Sequence, residues 1–125
     1  MKKKPKIATV RLKCDKLWSQ LIRSVGHCEY CGTTQNLNAH HLVSRSKLHT
    51  RYLKENGICL CVKHHTFSKD FSAHGNPLAF GKWIEEYYGK ERIDFLLKES
   101  RSLKRFTIDD YLKAEIDLKQ MIDYI

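Results

Sequence analysis

Apolar residues recur along this chain with helical spacing near its two ends and with strand-like grouping in the middle. In residues 12–25, Leu17, Trp18, Leu21, Ile22 and Val25 fall on one helical face, and Gly26 supplies a C-terminal stop. Residues 37–43 and 57–60 read as two short strands, separated by a basic loop with Arg45, Lys47, Arg51 and Lys54. A further helix is predicted to begin near Val62. Asn76 is a good N-cap with Pro77 at the first helical position, and Leu78, Trp83, Ile84, Tyr87 and Tyr88 form an apolar face that Gly89 ends. A short helix with Ile93, Leu96 and Leu97 follows. The last helix opens at Thr107, with Asp110 placed as in a capping box, and its stripe is Ile108, Tyr111, Leu112, Leu118, Ile122 and Ile125. The order predicts one α+β domain: a basic arm at 1–11, a helix at 12–26, a two-stranded core at 27–75 and helices at 76–125. The final stripe serves equally well to close a monomer core or to make a homodimer interface.

Charge narrows the class of partner. A net charge of +9 on 125 residues points to an anionic partner, nucleic acid first. No run approaches the roughly 18 apolar residues of a membrane helix. The opening Met1-Lys2-Lys3-Lys4-Pro5-Lys6 has the charge of a signal peptide, but Arg11 and Lys13 break the apolar run that should follow. An intracellular, cytoplasmic protein is therefore expected.

The cysteines add a metal. Five in a reducing compartment argue against a disulfide framework. Cys28-Glu-Tyr-Cys31 and Cys61-Val-Lys-His64 are two pairs with two residues between ligands, together three thiolates and an imidazole. That is a closed tetrahedral set for structural zinc (Zn2+), and a small domain gains from such a staple. Cys59 competes with Cys61 for this role. Strand alternation puts both on one face and does not separate them, whereas the gap to His64 favours Cys61.

Five more polar residues lie in or beside this framework: His40, His41, Arg45, Asn56 and His65. Phosphodiester hydrolysis needs a base for water, charge stabilisation on the phosphate oxygens, and a grip on the phosphate. Histidine suits the first task, a divalent ion on imidazole ligands the second, and arginine the third. Neighbouring histidines on a strand point to opposite faces, so His40 and His41 have different jobs. His64 and His65 divide in the same way, one to zinc and the other to a catalytic ion.

The pattern Cys28-x2-Cys31, Ala39-His40-His41, Arg45, Asn56-Gly57-Ile58 and Cys61-x2-His64-His65 resembles the HNH endonucleases. The resemblance implies a zinc-knuckle-stabilised ββα-metal (His-Me finger) core flanked by helices. It implies His41 as general base, His40 and His65 as ligands of a catalytic Mg2+ or Mn2+ ion, and Asn56 as a brace for the loop that orients His41. Lys16 to Arg23, Arg51 before Asn56, and the segment from Tyr87 to Tyr111 are similar to the phage lambda NinG (Rap) branch, recombination endonucleases that cut branched DNA such as Holliday junctions and D-loops. That resemblance implies a phage or prophage enzyme acting in the host cytoplasm, leaving 5′-phosphate and 3′-hydroxyl ends. Two symmetric nicks in a junction would call for a twofold dimer. The rival readings are a sequence-specific or nonspecific HNH nuclease of homing or restriction type, and a non-catalytic zinc module that binds nucleic acid. The module has no use for His40, His41, Asn56 and His65.

Overall fold

The computed structural model describes residues 3–125; the first two residues of the basic arm lie outside the described residues. Helix α1 spans Ile7–Arg23, so residues 7–11 belong to it and not to an arm. The reason is tertiary. Val10, 1 % exposed, extends the Cys14–Trp18–Leu21 stripe by a turn and packs in one cluster with Tyr111 and Leu118. Lys4 forms an ion pair with Asp109 at 2.8 Å, a surface contact of small energetic value. Val25, expected on the buried face, lies beyond the helix and is exposed. Gly26 has φ +84°, the left-handed region that favours glycine.

Strands β1 (Leu37–His41) and β2 (Gly57–Cys61) pair antiparallel in the register Leu37 with Cys61 and His41 with Gly57. Between them lie a single helical turn, α2 (Leu48–Arg51), and a 3-10 turn at Lys54–Asn56. β1 stops two residues short of its predicted end. The Asn56 side chain takes both the N–H and the carbonyl of Val43, and the Asn56 carbonyl accepts from Leu42, so this segment is bound out of strand geometry. After β2 the helix predicted to begin near Val62 is present as a short π-helical turn, Lys63–Phe67. Helices α3 (Pro77–Tyr88), α4 (Lys90–Ser100) and α5 (Ile108–Asp123) complete the chain. Asn76 caps α3 by accepting from the Ala79 amide, and Thr107 and Asp110 form a full capping box on α5.

The small sheet is the middle layer of an α+β arrangement. One face, with Leu37, Ala39 and Cys59, packs on α1 and α5. The other, with Ile58 and Leu60, packs on Phe80 and Ile84 of α3. Tyr111 and Leu118 of α5 thus close the intramolecular core. Gly57 is required by close approach: a Cβ there would lie 2.8 Å from the Trp18 ring and overlap Ile22. Its absence lets α1 sit directly on the hairpin. Glu29 ties the first knuckle to the rest, accepting from the Cys59 amide at 2.8 Å and from the hydroxyls of Tyr87 and Tyr88 at 3.1 and 2.9 Å. No helix of the described residues is long and apolar enough to cross a membrane.

Candidate metal centres and active site

The first centre is built where three turns meet. Cys28 and Cys31 flank the knuckle that Gly32 closes with φ +81°. Cys61 ends β2, and His64 sits in the π-helical turn. The four ligand atoms lie within 4.8 Å of one another. Cys31 Sγ and Cys61 Sγ are 3.8 Å apart, far beyond a disulfide bond of about 2.05 Å. A tetrahedral zinc with Zn–S of about 2.3 Å separates two sulfurs by roughly 3.8 Å. Cys61 Sγ to His64 Nδ1 is 3.3 Å. The cluster can therefore hold a metal ion such as zinc. Burial pushes the Cys28 thiol up, but the backbone amides of Cys31, Cys61 and Tyr30 outweigh it, and the net direction is toward the thiolate.

Cys59 stands apart from this cluster. It faces α1, fully buried, and burial first and Glu29 second raise its thiol to about 11. Cys14 is raised to about 11 in the same way. Both are apolar core groups, inert as thiols at neutral pH.

The second centre contains His40, His65 and His74. His65 Nε2 and His74 Nε2 are 3.1 Å apart, and the His40 ring lies 5.1 Å from each of the other two rings. His74 is absent from the sequence-based site. The loop after the π-helical turn folds back on it, with Ala73 N–H donating to the His64 carbonyl and His74 N–H to that of His65. These bonds carry His74 over His65. The remaining signal in the sequence was an unassigned histidine just before the Gly75–Asn76–Pro77 helix start, and its distance along the chain from His65 follows no helical or knuckle spacing. Burial, helped by His65 and His74, lowers His40 to about 3; burial and His74 lower His65. Neutral imidazole is the form that binds a metal. Three imidazoles without a carboxylate suit zinc and other imidazole-binding ions better than magnesium, which prefers oxygen ligands.

His41 points to the other face of the hairpin. Its ring stacks on Trp18 at 3.8 Å, and Nε2 is 3.0 Å from the Arg51 carbonyl. A carbonyl only accepts, so Nε2 carries the proton and Nδ1 the lone pair. Burial outweighs that carbonyl, and His41 is lowered to about 4, so the ring is neutral at pH 7. Arg51 is itself held by a two-point ion pair to Asp15, at 3.0 and 2.9 Å, and donates to the Arg45 carbonyl at 3.3 Å. Asn56, fully buried, fixes the backbone two residues beyond His41, accepting from Val43 N at 2.7 Å and donating to Val43 O at 3.1 Å. The Arg45 side chain is exposed and makes no ion pair among the described residues. One open cleft of about 740 Å³ is lined by the three histidines, His41 and Arg45.

Comparison with protein-family models, with curated proteins and with solved structures finds no match to this chain. Functional inference therefore rests on these side chains.

Proposed function

We propose that this chain is a metal-dependent DNA endonuclease with a ββα-metal, HNH-type centre beside a structural zinc knuckle. The observation that carries the reading is the division of labour at the end of β1. His40 joins a cluster of three neutral imidazoles, while the next residue, His41, turned to the other face, also lines the cleft and has its Nε2 proton bound to the Arg51 carbonyl, which leaves Nδ1 as its lone-pair nitrogen. In this reading His40, His65 and His74 hold a divalent ion, which supplies Lewis-acid stabilisation of negative charge on the phosphate oxygens. His41 Nδ1 takes the proton from an attacking water, and the Arg51 carbonyl holds its imidazole in orientation through the Nε2 proton. Arg45, with no competing carboxylate, grips the phosphate. Asn56 keeps the segment after His41 from shifting. The net charge of +9 supports a nucleic-acid substrate. Branched recombination intermediates are the preferred substrate in this reading, on the similarity of Lys16 to Arg23 and the C-terminal helices to enzymes of that kind.

The test is cleavage of a labelled four-way junction and a matched linear duplex, each with Mn2+, Mg2+ or EDTA, beside His41→Ala. Metal-dependent cutting of the junction by the wild type, lost in the variant, is the expected result. Equal cutting of both DNAs removes the preference for branches. A folded, zinc-loaded protein that binds DNA and cuts neither under any ion is a binding module, and the reading fails.

A further inference from the structure

Much of the cleft's lining beside the metal centre is apolar. Besides the histidines and Arg45 it includes Leu42, Ile84, Leu96, Leu97 and Phe80, whose ring lies 5.5 Å from that of His40. The whole open cleft, metal centre included, measures about 740 Å³, within the roughly 300–1,000 Å³ of small-ligand clefts. A paired, stacked duplex offers its phosphates outward and has nothing to place in such a chamber. Gly81 keeps the open side of this chamber clear. It lies inside α3 at the open, solvent-exposed side of the cleft, and a Cβ there would meet no atom within 4 Å. Glycine weakens a helix interior relative to alanine, and no neighbouring side chain of the described residues requires it here. A bare backbone facing open space suits the close approach of a ligand.

The charges orient that ligand. At one end Arg45 is the cation that suits a phosphate, beside the tri-histidine cluster, whose neutral imidazoles can donate a ring N–H to it. Along α3, away from the contact of Phe80 with His40, lies Glu85, whose carboxylate repels a phosphate. The occupant therefore has its anionic group at the histidines and a flat, uncharged body in the apolar part.

We infer that the chamber receives one unstacked nucleobase, that of the nucleotide whose phosphate lies at the tri-histidine centre. This rests on the nuclease reading above and supplies a physical source for a preference for branched DNA. Drawing a base from a paired stack costs free energy, whereas a base at a branch or bulge is already free, so sites with unpaired nucleotides bind best.

The experiment uses the zinc-loaded protein without added divalent ion, and two DNAs: a duplex with a single bulged 2-aminopurine and the same duplex fully paired. The expected result is at least about tenfold tighter binding of the bulged DNA. The bulged 2-aminopurine becomes shielded from a collisional quencher on binding. Gly81→Phe, which fills the chamber without backbone strain, brings the ratio of affinities close to one while melting no lower than the wild type. A Gly81→Phe protein that keeps the ratio, or a bound 2-aminopurine still open to quencher, overturns the inference. So does a wild-type dimer that Gly81→Phe converts to a monomer in sedimentation, because the cleft is then a contact between copies. Cutting by the wild type with Mn2+ is read separately: if it cuts and the ratio survives Gly81→Phe, the chamber fails and the nuclease stands; if it never cuts, the nuclease reading fails while the binding arms still decide the chamber.

Discussion

Replacing Asn56 by alanine removes two hydrogen bonds at once and leaves the Val43 N–H and carbonyl without their partner. Asn56 is fully buried, and Val43 is half-buried. An unsatisfied buried polar group costs about 1–3 kcal/mol, and some water will reach the Val43 side, so the loss is about 2–4 kcal/mol. That is a large part of the roughly 5–15 kcal/mol that holds a domain together. At this chain length it lowers the melting temperature by roughly 3–5 °C per kcal/mol. Urea or thermal unfolding with zinc saturating measures it, since a bound ion adds to apparent stability. Asn56→Asp sharpens the argument. One carboxylate oxygen still accepts from Val43 N, but the other faces the Val43 carbonyl where a donor stood. This variant should be no more stable than the alanine one at pH 8. Protonation restores a donor, so the folded state raises the pKa of the new carboxyl. The folded state then binds more protons than the unfolded one, and its deficit shrinks as pH falls through that raised pKa. A loss under about 0.5 kcal/mol for Asn56→Ala, or a deficit for Asn56→Asp that grows with acid, refutes the assigned role.

Three further outcomes follow from the same geometry. Cys61→Ser abolishes stoichiometric zinc and unfolds the protein at moderate temperature, while Cys59→Ala keeps the zinc and costs about 1–3 kcal/mol of buried packing, as metal analysis with calorimetry would read. His74→Ala leaves the zinc in place but weakens a second equivalent of Mn2+ by about tenfold or more in titration; unchanged affinity would remove His74 from the centre. Gly57→Ala forces a methyl against Ile22 and the Trp18 ring, and is expected to destabilise by about 1–3 kcal/mol in urea unfolding.

Local chemistry decided much of this protein. The helix caps at Asn76 and Thr107, the stop at Gly89, the two short strands and the paired cysteine motif are all settled by neighbours a few residues away, so they can be read from the sequence; the first helix ends at Arg23, three residues before the Gly26 expected to stop it. The opposite facing of His40 and His41 is of the same kind, because strand geometry alternates side chains. What lay beyond reach was set by distant contacts. The start of α1 depends on Val10 meeting Tyr111, about a hundred residues on. The helix start near Val62 was legible, but its brevity and π-helical form, ahead of the loop that folds back on it, were not. His74 enters the second centre through two backbone hydrogen bonds of that loop, and the cleft is walled by residues of β1, α3 and α4 that lie far apart in the sequence. Periodicity records which face of an element is buried; which faces meet is decided by chain folding over separations that no local pattern encodes.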